Sequence, residues 1–116
     1  MKESDHFHAE GMSSAAFRHG PFEMLQRGIF VGVFLGDEKA SALNARMAQE
    51  IAATGATSVS FANEAAHPAC RLPGVPEIVR PIVEILPIQM MTLALAALAG
   101  REPGKFVRAT KVTVVE

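Results

Sequence analysis

Residues 29–35 read Ile-Phe-Val-Gly-Val-Phe-Leu and lie between Gly28 and Gly36. This continuous apolar run is rich in residues that favour β-structure. It is typical of a strand buried on both faces, as in a parallel sheet. A second run, Ser58–Ala62, predicts the next strand. Two such strands separated by a helical segment indicate an α/β fold with a parallel sheet.

The segment between these strands predicts an amphipathic helix. Asp37 follows the glycine that ends the first strand and can cap the helix. Leu43, Met47 and Ile51 then recur every four residues and predict one buried stripe, with charged and amide side chains elsewhere. The helix is expected to end near Thr54-Gly55.

A second helical stretch is predicted over residues 77–99, with Pro81 and Pro87 expected to kink or divide it. Its most hydrophobic part, Ile85–Ala99, is interpreted as a buried helix too short to span a bilayer. Short strands are predicted for Phe7–Met12 and near residues 70–72. The order of elements predicts a three-layer α/β/α sandwich that lacks its usual first strand and helix, so residues 1–116 are expected to form a single partial domain.

The composition narrows the functional classes. The chain has 116 residues, is 49% hydrophobic and carries a formal net charge of −1. A near-neutral, mixed surface argues against nucleic acid as the main partner. Cys70 is the single cysteine, which suits the reducing cytoplasm, and it is interpreted as a buried apolar residue rather than a nucleophile. Acidic residues near Met1 predict that no secretory leader is present.

One cluster near the amino terminus has the spacing of metal ligands. On a strand, His6, His8 and Glu10 would project from the same face. The alternative is an ordinary polar segment at a poorly held end of the chain, and we favour it because metal ligands need to be ordered. No metal or other cofactor is therefore expected.

Several motifs occur together in one order along the chain. They are Lys2-Glu3, His8-Ala9-Glu10, Phe17-Arg18-His19-Gly20-Pro21, Arg80-Pro81-Ile82, Leu86-Pro87-Ile88-Gln89 and Lys111-Val112-Thr113-Val114-Val115-Glu116. In this order they resemble the sugar isomerase (SIS) family, a flavodoxin-like α/β fold. The chain is similar over essentially its whole length to the final SIS subdomain of glucosamine-6-phosphate synthase and of related phosphosugar isomerases and deaminases.

The resemblance implies proton transfer between C1 and C2 of an open-chain sugar phosphate, of the fructose-6-phosphate or glucosamine-6-phosphate type. Glu3 matches the family's carboxylate base, and His19 matches the histidine that opens the sugar ring and reaches the site of a neighbouring subunit. Lys111 matches a lysine that condenses with the ketone to form an imine, and Thr110 lies where the backbone would flank the sugar. Without the resemblance, these residues would be interpreted as ordinary solvated groups: Glu3 at a frayed end of the chain, His19 in a turn and Lys111 on a terminal strand.

Other family features are missing from the sequence. The Ser/Thr-rich loop that grips phosphate belongs to the preceding subdomain, and the amidotransferase domain is absent. Three functional hypotheses therefore remain. The first is an enzyme that relies on another chain or segment for its phosphate site. The others are a non-catalytic phosphosugar-binding or assembly module and an inactive truncated fragment. An uncovered sheet edge and the apolar helix further predict a homo-oligomer, with no membrane partner.

Overall fold

A computed structural model describes residues 1–2 and 6–105 of the chain. Its helices and strands are α1 (Ser14–Arg18), β1 (Phe30–Phe34), α2 (Glu38–Ala53), β2 (Thr57–Phe61) and α3 (Arg80–Leu98). Three short 3-10 turns cover Pro21–Met24, Pro68–Cys70 and Glu77–Val79. The structure confirms the α/β class. The described residues form two compact units, one of residues 12–85 and one of residues 1–2, 6–11 and 86–105.

In the described part of the chain, β1 and β2 form a two-stranded parallel sheet. Phe30 pairs with Thr57 and Phe34 pairs with Phe61, in the parallel pairing that the sequence predicts. A Cβ atom added at Gly32 would lie 3.0 Å from Cε2 of Phe61, so the glycine lets that ring lie against the backbone of β1. The predicted burial of β1 on both faces is wrong, because Val33 is buried whereas Phe30 is exposed.

Helix α2 begins where the sequence predicts. The carboxylate of Asp37 accepts a hydrogen bond from the Ala40 N–H at 2.9 Å, which satisfies one of the free donors at the helix start. Met47 and Ile51 are buried as predicted, but Leu43 is 71% exposed. Asn44 occupies the sheet-facing position instead, and its amide donates to the carbonyls at the end of β1.

The segment before β1 differs from the prediction. Phe7–Met12 is not a strand; the first helix of residues 12–85 begins at Ser14, and the Ser13 hydroxyl accepts from the Ala16 N–H at 3.2 Å. The segment near Cys70 forms a 3-10 turn followed by a single bridge between Ala62 and Arg71, rather than a strand. An isolated bridge of this kind does not form a ladder of hydrogen bonds, so it does not add a third strand to the sheet.

Helix α3 is one continuous helix with Pro87 in its interior. Pro81 lies in its first turn, where the missing N–H has no helical partner to lose. The predicted burial of Ile85–Ala99 is wrong: Ala96 is buried, whereas Met90 is 66% and Leu98 85% exposed. Together with the preceding turn it gives a 22-residue helix, Glu77–Leu98, close to the predicted range. This helix extends beyond the Ile85–Ala99 stretch that is interpreted as too short to span a bilayer, and by length and composition alone it could cross a membrane.

Candidate functional site

The structure places one of the four predicted site residues. Glu3, Thr110 and Lys111 lie outside the described residues, so their predicted roles stay predictions. His19 lies in the unit formed by residues 12–85. The candidate site is therefore built outward from His19.

His19 is the residue that ends α1. Its backbone N–H donates to the Ala16 carbonyl at 3.2 Å, and its φ and ψ angles of −91° and 22° turn the chain out of the helix. Pro21 then opens the next 3-10 turn, where a fixed φ suits the first position. Because the His19 side chain is exposed, the imidazole is accessible to a molecule approaching from solvent.

Aromatic and cationic contacts close the turn that carries His19. The rings of Phe17 and Phe22 lie edge to face, with centroids 6.0 Å apart and planes at 79°. The Arg18 guanidinium lies over the Phe22 ring, 5.9 Å from its centroid. Phe17 and Phe22 also pack against the buried core, so both sides of the turn are tied to the body of the unit.

A carboxylate on α2 binds the arginine next to His19. One oxygen of Glu50 accepts from Nη2 of Arg18 at 2.6 Å, and the other accepts from Nε of Arg46 at 2.9 Å. The hydrogen bond from Arg18, and then that from Arg46, hold the pKa of Glu50 below its usual value of 4.5. The carboxylate therefore stays charged to a lower pH than an ordinary glutamate side chain.

The start of α1 is held by a second polar contact. The Ser14 hydroxyl donates to Oδ1 of Asn44 at 2.7 Å. The amide nitrogen of Asn44 donates to the carbonyls of Phe34 and Leu35 at 3.3 and 3.1 Å. Helix α1 has only five residues and could not persist alone, so these contacts with α2 fix its position.

A cleft of about 510 Å³ lies between α1 and α2. Its lining includes Ser14, Ala15, Arg18, Ala40, Leu43, Asn44, Arg46 and Glu50. His19 is not among these residues, although it directly follows Arg18. The cleft is thus a neighbour of the predicted catalytic residue and not its binding pocket.

His6, His8 and Glu10, which have the spacing of metal ligands, do not lie on the strand that would give them a common face. His6 has a φ of 57°, and the carboxylate of Glu10 pairs with the ammonium of Lys2. Over residues 1–2 and 6–105, no group of three histidine, cysteine or acidic side chains could hold a metal ion.

Lowering the pH should weaken the contact between α1 and α2. Glu50 has a lowered pKa in the folded chain, so its pairs stabilise the fold fully above its ordinary value near 4.5 and lose that effect as the pH falls through the folded value. Urea unfolding at about pH 6 and about pH 3 should show the chain and its Glu50→Gln variant converging in stability at the lower pH. An unchanged difference between them would contradict this assignment.

The comparisons with known proteins point to enzymes that use fructose 6-phosphate. Glutamine–fructose-6-phosphate aminotransferase [isomerizing] from Thermococcus kodakarensis is 30% identical over 121 residues, covering 100% of this chain and 20% of that protein. The enzyme of the same name from Pyrococcus horikoshii is 31% identical with the same coverage. That from Mesorhizobium japonicum is 30% identical over 110 residues, or 88% of this chain.

The chain spans about a fifth of the length of these relatives. No protein-family model matches it. The similarity nevertheless extends over all of the chain, as the resemblance of its motifs predicts. It supports a sugar-phosphate-related function.

Proposed function

We propose that this chain is the isomerase part of an isomerizing aminotransferase that acts on a fructose-6-phosphate-type substrate in the cytoplasm. The observation that carries the proposal is the similarity of the whole chain to isomerizing aminotransferases named for fructose 6-phosphate. The order of the motifs around Glu3, His19 and Lys111 is consistent with it, since these residues supply a base, an imidazole and an amine.

In the proposed reaction the sugar first opens to its linear form. His19 shuttles the proton that moves between the ring oxygen and the hydroxyl group at the anomeric carbon. Lys111, as a neutral amine, condenses with the C2 ketone and releases water, which gives an imine. Ammonia or water then adds to this imine and releases Lys111, which leaves a free imine or ketone at C2. Glu3 takes a proton from C1 and returns it to C2 while the proton of the C1 hydroxyl passes to the heteroatom on C2, so the ketose derivative becomes an aldose with no net change in protons.

The exposed position of His19 supports a role in a site shared between chains. Its imidazole faces solvent at the end of a braced turn, where a second copy can bring a bound sugar to it. The resemblance implies such sharing, because the family histidine reaches the site of a neighbouring subunit. We therefore propose a homo-oligomer in which Glu3 and Lys111 of one chain meet His19 of another.

The exposed apolar surface of α3 supports the same assembly. Five of its exposed large apolar side chains recur mainly at spacings of three and four and are called the α3 stripe: Ile82, Ile85, Leu86, Met90 and Leu93. We propose that a second copy, not a lipid bilayer, covers the stripe. Arg80 and Glu84 occupy the first turns of α3, and the uncharged part that follows is shorter than the roughly 20 residues that a bilayer requires.

The main competing function is binding without turnover. The fold alone does not fix activity, and the sequence contains no Ser/Thr-rich loop for gripping phosphate. Such a chain would bind a phosphosugar or contribute to assembly, with the chemistry performed elsewhere.

Replacing Glu3 with glutamine should remove isomerisation. Glutamine keeps the size of the side chain but cannot accept the proton from C1, so the rate should fall by roughly 10²- to 10⁴-fold. The purified chain is mixed with fructose 6-phosphate or glucosamine 6-phosphate, and NMR follows the interconversion of ketose and aldose. Glu64→Gln is the matched control, because Glu64 is an exposed carboxylate with no proposed role.

The outcomes separate the alternatives. Turnover that Glu3→Gln removes and Glu64→Gln preserves supports the isomerase. Saturable binding without turnover overturns it in favour of the binding module. If neither sugar phosphate perturbs any resonance, the chain is an inactive fragment.

A further inference from the structure

We infer that Glu50 and Arg18 are positioning residues for His19, which holds for catalysis only if the proposed isomerase function holds. Arg18 is the last residue of α1 and is joined to His19 by a peptide bond. Its guanidinium is bound by Glu50 of α2 at 2.6 Å, a contact between residues 32 positions apart. The geometry thus ties the predicted catalytic turn to the longest helix of its unit.

Glu50 is itself well anchored. It precedes Ile51, which is 0% exposed and lies in the core cluster with Val33, Met47, Ala48 and Ala56. Its carboxylate is 32% exposed and bound at both oxygens. Because the core fixes the backbone of Glu50, its carboxylate lies at a fixed position from which it binds Arg18 of α1.

Arg18 transmits that constraint to the turn. Its guanidinium contacts Glu50 on one side and the face of Phe22 on the other. Phe22 follows His19 by only three residues, so the two contacts bracket the histidine from both directions along the chain. An arginine held in this way has little freedom to move, so the backbone of His19, which is bonded to it, is restrained as well.

This constraint matters for proton transfer because histidine catalysis depends on geometry. An exposed imidazole on an unbraced turn samples many positions, whereas a catalytic group must lie within about 0.5 Å of its productive position. A displacement of about 1 Å can lower a rate by about 100-fold. Glu50 would then affect the reaction without touching the sugar.

Arg46 provides a control built into the same network. It binds the other oxygen of Glu50 at 2.9 Å, but its side chain is 77% exposed and it lies on α2 itself. Losing Arg46 removes an ion pair of similar length from Glu50 and leaves the contact with Arg18 intact. A role confined to stability predicts similar effects for the Arg46 and Arg18 changes, whereas positioning predicts different ones.

The test compares Glu50→Gln, Arg18→Gln and Arg46→Gln in the full chain. The ¹⁵N order parameter of the His19 amide should fall from about 0.85 towards 0.6 in the first two variants and stay near its original value in the third. With fructose 6-phosphate, the first two should lose about 10- to 100-fold in kcat, with little change in KM. The Arg18→Gln, Glu50→Gln double variant should lose no more than either single one, because both changes remove the same contact.

Arg18→Gln keeps the inference testable if Glu50→Gln fails to fold, since the Arg18 side chain is nearly half exposed. Equal effects of Arg46→Gln and Arg18→Gln on order and kcat would overturn the inference, as would an unchanged His19 order parameter in the Glu50 and Arg18 variants. If the unmodified chain isomerises nothing, the proposed function fails. The order parameters then decide separately whether Glu50 holds the turn.

Discussion

Ile51→Ala is expected to lower the free energy of unfolding by about 3 kcal/mol, within the 2–5 kcal/mol typical of such changes. Ile51 is fully buried between α2 and the sheet and lies in the core cluster with Val33 and Met47. The substitution removes three buried carbon atoms and leaves a cavity that the strands cannot close without moving. A domain of this size is typically stable by only about 5–15 kcal/mol, so the loss is a large share of the total.

The matched control for Ile51 is Leu43→Ala on the same helix. The periodicity of the sequence places both residues in one stripe, but Leu43 is 71% exposed. Its truncation should change the free energy of unfolding by less than about 0.5 kcal/mol. Urea denaturation followed by circular dichroism measures both variants. Equal losses for Ile51→Ala and Leu43→Ala would show that Leu43 is buried in solution and that the arrangement of α2 on the sheet is different.

Ile82→Asp is expected to dissociate the proposed homo-oligomer into single chains. Ile82 lies in the α3 stripe and is 66% exposed, so in the proposed homo-oligomer it is buried against a second copy. A carboxylate placed in a dry interface loses its hydration without gaining a partner, a penalty of several kcal/mol that exceeds what one side chain contributes to association.

Light scattering at micromolar concentration measures the effect. The unmodified chain should have at least twice the mass of one chain, and Ile82→Asp should have the mass of one. Gln49→Asp, which places the same charge on the exposed surface of α2, should leave the mass unchanged. A single-chain mass for the unmodified protein at that concentration would contradict the proposed assembly.

Local signals predicted the middle of the chain well. The apolar run at residues 29–35, the cap at Asp37 and the glycine after α2 each act through neighbouring residues, and each is present in the structure. Leu43 was placed wrongly because Asn44 satisfies the carbonyls at the end of β1, a contact that helical periodicity does not contain. The burial of α3 was predicted wrongly because composition reports hydrophobicity and not whether a partner surface is present.

The candidate site was less accessible from sequence. The order of the motifs identified His19. The turn that carries His19 is held by a hydrogen bond between Arg18 and Glu50, which are 32 positions apart, and no local sequence pattern reveals that contact. The Arg46–Glu50 pair, four residues apart on a helix, was the one signal that could have drawn attention to Glu50. The meeting of Glu3, His19 and Lys111 stays a prediction, because two of these residues lie outside the described part of the chain.

The β1–α2–β2 segment is continuous in sequence and contains every member of the core cluster around Ile51. Its stabilising contacts therefore close short loops, which favours rapid folding. A ribosome that has released Phe61 from its exit tunnel has supplied all that this core requires. Helix α3 is synthesised after this core, and in the proposed homo-oligomer its exposed apolar side chains are covered only when a second copy binds.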